Sequence, residues 1–165
     1  MSTTETSSGT PVQAPEAGTV DFKLEVLVLP VSDVDRAKRF YASLGWREDA
    51  DFPIREDFRV IQMTPPGSGT SVIFGDGVSG AEPGSAGPLV LAVYDIGAAH
   101  ADLVARGAEV SEVFHGRSGF DLNGTAPRES GPDPDGQSYN SWVSFSDPDG
   151  NSWLLQEIKT RLPGR

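Results

Sequence analysis

The sequence predicts an α+β fold in which one strand–helix–strands module occurs twice in tandem. Two apolar segments, residues 27–33 (LVLPVSD) and 89–95 (LVLAVYD), match each other at a constant offset and without a gap. Each segment is followed by a stretch with helical periodicity, which ends at Gly45 in the first copy and at Gly107 in the second. Turn-forming sequences separate the strands that follow. Together these three observations indicate an internal duplication.

The first copy begins with a predicted strand over residues 26–31, a nearly continuous apolar run that is typical of a strand covered on both faces. Ser32 and Asp33 can cap a helix that starts at the next residue, and Asp35 in its first turn suits the helix dipole. Gly45 supplies the left-handed residue that ends the helix. The apolar stripe of this helix consists of Val34, Ala37, Tyr41 and Leu44.

The second copy repeats this pattern, and further strands follow each helix. In the first copy we predict strands over residues 59–64 and 70–74, joined by the turn Pro-Pro-Gly-Ser-Gly at 65–69. In the second copy we predict strands over 109–115, 141–146 and 152–158. The last two are joined by Asp-Pro-Asp-Gly-Asn at 147–151, a strong hairpin signal.

The remaining segments divide the chain. Residues 1–20, with little to bury, are predicted to be a disordered tail. The first module then covers residues 22–75, a Gly/Ser/Pro-rich linker covers 76–87, and the second module covers 88–160. Residues 116–138 form a long Gly/Pro/Asp-rich loop within the second module, and loops of this length are either functional lids or disordered.

Composition and charge exclude several classes of function. The formal net charge of −11 argues against a nucleic-acid partner, which would require clustered Lys and Arg. The sequence has no apolar run approaching the roughly 20 residues that cross a bilayer, so we expect no membrane partner. Residues 1–20 lack the basic and apolar regions of a secretory signal. The absence of cysteine excludes disulfides and thiolate chemistry, and a cytoplasmic protein fits these features best.

The duplicated unit, beginning VLPVSDVDRAKRFYASLGW and ending SFSDPDGNSWLLQE, resembles the vicinal oxygen chelate superfamily over residues 22–160. That superfamily contains glyoxalase I, extradiol dioxygenases and the bleomycin resistance proteins. The resemblance implies two tandem βαβββ modules whose curved mixed sheets enclose one cup for a small-molecule ligand. It also implies a homodimer. Because this fold hosts many activities, the resemblance leaves the reaction open.

Metal-using relatives place ligands on the first and last strand of each module, and carrying these positions over gives residues that cannot coordinate a cation. A one-residue slip would bring Glu25 into a ligand position, but it would also turn that side chain to the opposite face of the strand. We therefore predict no metal site and no cofactor. The four positions are occupied by Val26, Ile73, Pro88 and Leu154.

Without a metal, the cup must recognise its ligand by shape, apolar contact and a few polar groups. Strand alternation places three polar side chains on the presumed cup face, although all three can also be read as ordinary strand residues: Gln62, Thr64 and Gln156. Aromatic side chains near the long loop can stack on a planar ligand, or can belong to the core: Phe114, Phe120, Tyr139 and Trp142.

His115, at the start of the long loop, is the candidate general acid–base near the presumed mouth of the cup. Three hypotheses about function follow. The first is a binding protein that holds a hydrophobic or aromatic metabolite or antibiotic. The second is a metal-independent enzyme that uses His115. The third is a metal-dependent lyase, isomerase or dioxygenase whose ligands lie elsewhere in the chain.

Overall fold

Each half of the chain folds into one mixed β-sheet and one helix, as seen in a computed structural model that describes residues 20–116 and 125–163. The first sheet has the strand order β1-β4-β3-β2, with β1 parallel to β4 and the other pairs antiparallel. Its elements are β1 (Val26–Val28), α1 (Val34–Ser43), β2 (Arg47–Arg55), β3 (Phe58–Thr64) and β4 (Ser71–Phe74).

The second sheet has the order β5-β9-β8-β6-β7, and again its first and last long strands, β5 and β9, pair in parallel. Its elements are β5 (Leu89–Val93), α2 (Ile96–Ala105), β6 (Phe114–His115), β7 (Glu129–Ser130), β8 (Ser141–Ser146) and β9 (Ser152–Glu157). This architecture confirms the predicted α+β class with two tandem βαβββ modules, whose two sheets are open and fit a cup.

The two helices begin and end in the same way. The side chain of Asp33 accepts a hydrogen bond from the backbone N–H of Arg36, and Asp95 accepts one from Ala98, both at 2.9 Å. Each bond satisfies an N–H that has no partner within the helix. Gly45 follows α1 with φ +84°, a conformation that side chains disfavour. The helix caps predicted from the sequence are therefore present in the structure.

Several predicted strand limits differ from the structure. The first strand ends at Val28 rather than at residue 31. The predicted strand over 109–115 is reduced to Phe114–His115, with an isolated bridge at Val110. Between them the backbone N–H of Ser144 donates to the Ser111 hydroxyl. A side chain thus replaces the backbone carbonyl that would accept this N–H in a regular β-ladder.

Two strands were missed by the residue pattern. Strand β2 is rich in charge and largely exposed, so its sequence carries little apolar alternation. Strand β7 lies inside the predicted long loop and pairs with β6 through Glu129 and Ser130. Part of that loop is thus extended structure, because it adds a short outer strand to the second sheet.

The two modules share a core formed by the faces of the sheets that carry the helices. Tyr41 of α1, fully buried, packs on Phe74 of its own sheet and on Trp153 of the other, with ring centroids 5.8 and 6.2 Å apart. Ile61 and Val143, on opposite sheets, are both 0% exposed in this cluster. We call this side of each sheet the helix side and the opposite side the open face.

In the ranges 20–116 and 125–163, neither helix has the length and apolar character that a membrane crossing requires.

Candidate ligand-binding site

Strand register assigns the predicted ligand-binding side chains to faces. On β3, Ile61 and Met63 are buried on the helix side, so Gln62 and Thr64, which alternate with them, lie on the open face. On β9, Leu155 belongs to the shared core, and Gln156 therefore lies on the open face.

On the open face of the first sheet, polar side chains form a connected strip. Gln62 Nε2 donates to Ser71 Oγ at 3.1 Å, and Ser71 Oγ and Thr64 Oγ1 are 2.7 Å apart. Thr64 also donates to the carboxylate of Asp49. Although burial opposes the shift, hydrogen bonds from Thr64 and Arg47 lower the pKa of Asp49. The strip therefore ends in a carboxylate that stays ionised and can only accept.

Apolar side chains surround this strip and are open to solvent. Val28 of β1 is 44% exposed, and Phe52 of β2, paired with Val60 on the same face, is 61% exposed. Large apolar groups at such exposure, around a few polar ones, are typical of a binding surface.

On the open face of the second sheet, three of the predicted residues lie in one row across adjacent strands. Phe114 pairs with Trp142, and Trp142 pairs with Gln156. With Leu154, Phe114 and Trp142 form a second apolar cluster separate from the shared core. The structure thus brings Phe114, Trp142 and Gln156 together, although all three are almost fully buried.

Tyr139 lies beside this row and links Gln156 to the segment that follows β9. Its carbonyl accepts from Gln156 Nε2 at 3.2 Å, and its hydroxyl accepts from the backbone N–H of Leu162 at 3.1 Å. The residue has φ +71°, a conformation that is uncommon for a non-glycine residue and that often occurs at functional sites. Phe120, the remaining predicted aromatic, lies outside the described residues.

His115 lies apart from these residues. Phe114 lies on the open face, so the alternation of β6 directs His115 to the other side of the sheet. Its Nδ1 lies 2.8 Å from the carbonyl oxygen of Gly131, and its Nε2 lies 3.1 Å from the carboxylate of Glu129. Both ring nitrogens thus contact the segment around β7, an arrangement that suits anchoring of the loop.

The four positions at which metal-using relatives bind a cation carry no suitable side chain in this protein. Val26, Ile73 and Leu154 carry aliphatic side chains, and Pro88 precedes β5 without a donor atom. In the part of the chain that the structure describes, no three His, Cys, Asp or Glu residues come together as a metal site. These four positions therefore offer no side-chain ligand to a cation.

The structure adds residues that the sequence analysis did not single out. Arg128 stacks its guanidinium on the Phe114 ring, 4.3 Å from the centroid. It also lines a cavity of about 280 Å³ with Ser144, Ser146 and Ser152. The alternation of residues 141–146 could have revealed Ser144 and Ser146, but Arg128 reaches the sheet through a loop, and loops carry no periodic signal.

A larger cavity, of about 490 Å³, lies on the helix side between the modules, and none of the predicted ligand residues lines it. We assign the candidate site to the open faces despite this difference in size. An open sheet face encloses little volume until something covers it, so volume alone is a poor guide to its use.

Fold and site together define a protein of duplicated βαβββ modules, with exposed apolar side chains around a polar strip on the first sheet and a buried aromatic row on the second. Residues 23–155 match the model of the Glyoxalase/Bleomycin resistance protein/Dioxygenase superfamily. The chain belongs to this superfamily.

Solved structures agree with this assignment. TnmS3, an antibiotic binding protein from Streptomyces sp. CB03234, is 29% identical with a TM-score of 0.61, over 84% of this chain and 98% of that one. A glyoxalase/bleomycin resistance protein from the same strain is 30% identical with a TM-score of 0.59, over 82% and 100% of the two chains. A superfamily member from Sphaerobacter thermophilus DSM 20745 is 27% identical with a TM-score of 0.60, over 84% and 98%. No curated protein matches the sequence.

Proposed function

We propose that this protein binds a hydrophobic or aromatic small molecule, such as an antibiotic or a metabolite, on the open faces of its sheets and without a metal. The observation that carries the proposal is the pairing of exposed apolar side chains with a short polar strip on the first open face. Such a surface can bury a largely apolar ligand and orient it through a few hydrogen bonds. The similarity to an antibiotic binding protein supports this class of ligand.

The donor set supports metal-independent binding. A divalent cation needs three or four oxygen or nitrogen ligands, and the superfamily positions hold Val26, Ile73, Pro88 and Leu154 instead. The residues paired with three of these positions carry only uncharged polar groups: Ser71 opposite Val26, Gln62 opposite Ile73 and Ser144 opposite Leu154. We therefore expect binding that chelators do not affect.

We further propose that the site is completed in a homodimer in the cytoplasm. Val28 and Phe52 on the first open face and Val90 on the second are each more than 40% exposed. If the first open face of one protomer meets the second open face of another, these side chains are buried and a cup is enclosed between them. Light scattering coupled to size exclusion measures the mass and tests the dimer.

A thermal-shift titration tests the binding proposal. Daunorubicin, an antibiotic with fused aromatic rings, is added to the full chain with and without EDTA. A ligand that binds only the folded state raises the Tm, and we expect the same shift in the presence of the chelator. A shift that requires an added divalent cation would contradict metal-independent binding.

A matched pair of variants locates the site. Val28→Asp puts a charge on the open face, while Val104→Asp puts the same charge on the outer surface of α2, where Val104 is 52% exposed. We expect the first variant to abolish the ligand-induced shift, because a carboxylate buried against an apolar ligand loses its hydration. The second variant should keep the shift. Equal behaviour of both variants would remove the open face as the site.

The enzymatic alternative depends on His115, and its placement favours binding. The imidazole lies on the other side of the sheet from Phe114, and both of its nitrogens contact oxygen atoms of the loop. We expect His115→Ala to leave ligand affinity within about twofold of the original. Loss of a measurable turnover with unchanged affinity would instead support catalysis.

A further inference from the structure

The cavity of about 490 Å³ on the helix side is enclosed by both modules. One part of its wall consists of buried apolar side chains from α2, from the end of α1 and from the second sheet, and the rest consists of the largely exposed 65–69 turn and the edge of β5. A volume of this size lies within the range of roughly 300–1,000 Å³ that small-molecule sites occupy. The walls include Leu44, Trp46, Leu103, Phe145 and Leu155.

The duplication explains why this space exists. The constant offset between the modules matches Tyr41 with Leu103, and it matches Phe40 with Asp102. In the first module both aromatic rings are in the core or packed against it. Their counterparts on α2 are an aliphatic side chain and an exposed carboxylate, so the second helix leaves room where the first fills it.

One wall of the cavity can form hydrogen bonds. Four consecutive residues of β5, Val90 to Val93, line it. Strand β5 is the outermost strand of its sheet and pairs only with β9 among the described strands. The backbone N–H and C=O groups on its other edge can therefore bind a ligand placed alongside it.

The mouth of the cavity carries balanced charge. Asp102 and Arg161 lie on its rim, and Asp102 is already paired with Arg106 at 2.8 Å. Charges of both signs at the entrance give no preference for an anion or a cation. A charged ligand would also lose its hydration among the apolar walls, so the site favours an uncharged molecule.

We propose that this cavity is a second binding site, on the helix side of the second sheet, for an uncharged and mainly apolar ring compound. Its rings contact Leu103, Phe145 and Leu155, and its hydrogen-bonding groups meet the outer edge of β5. None of the predicted ligand residues lines this site, and it meets the second open face only along the edge strand β5, at Val90 and Ala92.

Nile red, an uncharged dye with fused rings, is the probe. It is titrated into the full chain, and its fluorescence reports transfer into an apolar site. We expect saturable binding to the wild-type protein. In Leu103→Trp we expect the affinity to fall by about tenfold or more, since the larger side chain fills the cavity. The matched control is Val104→Trp, which adds the same ring to the exposed side of α2.

Two further variants make the outcome decisive. Ala99→Phe, on another wall of the cavity, should also reduce the affinity, and it serves if circular dichroism shows that Leu103→Trp does not fold. Val28→Asp removes any dye that the open face binds, and the component of Nile red binding that depends on Leu103 should persist in this variant. Absence of saturable binding, wild-type affinity in the folded cavity variants, or loss of binding in Val28→Asp or Val104→Trp would each overturn the proposal.

Discussion

The two modules place their helices differently against the hairpins that they meet. At the junction of α1 with the β8–β9 turn, the hydroxyl of Tyr41 donates to Asp147 at 2.8 Å and accepts from Trp153 Nε1 at 3.1 Å. All three side chains are buried. At the corresponding junction, α2 faces the 65–69 turn across a cavity. One copy of the duplicated unit is filled by aromatic rings, and the other is hollow.

The two hairpin turns explain part of this difference. In the 147–151 turn, Asp147 Oδ1 accepts the backbone N–H groups of residues 149, 150 and 151, and Asn151 donates to the carbonyl of Pro30 in the first module. The 65–69 turn holds Pro, Gly and Ser, and its Ser68 hydroxyl forms hydrogen bonds with the backbone of Thr70, within the same module. The 147–151 turn joins the two modules, whereas the 65–69 turn leaves an opening into the cavity beside α2.

Burial raises the pKa of Tyr41 far above its ordinary value, and the neighbouring charge of Asp147 raises it further. The hydroxyl therefore stays protonated at any pH at which the protein is folded. It can therefore donate to Asp147 throughout that range.

The largest expected effect comes from making the filled junction resemble the hollow one. Tyr41→Leu removes a fully buried ring and leaves Asp147 and Trp153 without the hydroxyl that joins them. We expect a loss of about 3–4 kcal/mol in the free energy of unfolding, measured by urea denaturation. Leu103→Ala, beside the cavity, should cost about 2 kcal/mol. Equal losses would show that the two junctions contribute alike.

The next effect concerns the two turns. Asp147→Ala removes the acceptor for three backbone N–H groups and for Tyr41, and we expect a loss of about 2–3 kcal/mol in the same measurement. The matched change in the other turn is Ser68→Ala, which should stay within about 0.5 kcal/mol because Ser68 is exposed. A large effect of Ser68→Ala would mean that the 65–69 turn also stabilises the fold.

The outer strands of the two sheets extend the comparison. In the first module, Asp51 of β2 accepts from Arg59 and from Lys38 of α1, at 2.9 and 2.7 Å. In the second module, His115 and Glu129 form one pair between β6 and β7. The outer strand of the first sheet is thus tied to its helix by a network of charges.

This network gives the smallest of the expected effects, and one that depends on pH. Hydrogen bonds from Arg59 and then from Lys38 hold the pKa of Asp51 well below its usual range. The stabilisation is therefore fully present above about pH 4, and it is lost as the pH falls from there through the lowered pKa of the folded state.

Asp51→Asn should lower the free energy of unfolding by about 1 kcal/mol at pH 7, and the difference from the original protein should shrink below about pH 4. Asp57→Asn is the control, since Asp57 pairs with Arg55 at 81% exposure. Urea denaturation at several pH values measures both variants. A difference that persists unchanged at pH 2 would contradict the assignment.

The sequence predicted much of the fold because the relevant signals are local. Asp33 and Asp95 mark the helix starts, Gly45 marks a helix end, and the 147–151 turn marks the last hairpin. Strand β2 escaped notice because its stability comes from pairing with β3 and from ions, neither of which leaves an apolar alternation. The same holds for β7, which depends on contacts with β6.

The candidate site divides in the same way. Alternation along a strand placed Gln62, Thr64 and Gln156 on the open faces, because neighbouring side chains on a strand must point to opposite sides. Alternation could not show that both nitrogens of His115 contact Glu129 and Gly131. These two residues lie in and just after β7, a strand that the residue pattern did not reveal.

By itself the sequence determined the duplicated unit, its capped helices and the aliphatic side chains at the superfamily's metal positions, since these depend on neighbouring residues and on residue type. Only the tertiary structure decided which copy is filled and which is hollow. That outcome depends on how Tyr41, Trp153 and the 147–151 turn pack across the two modules, and packing between distant segments is set by shape in three dimensions.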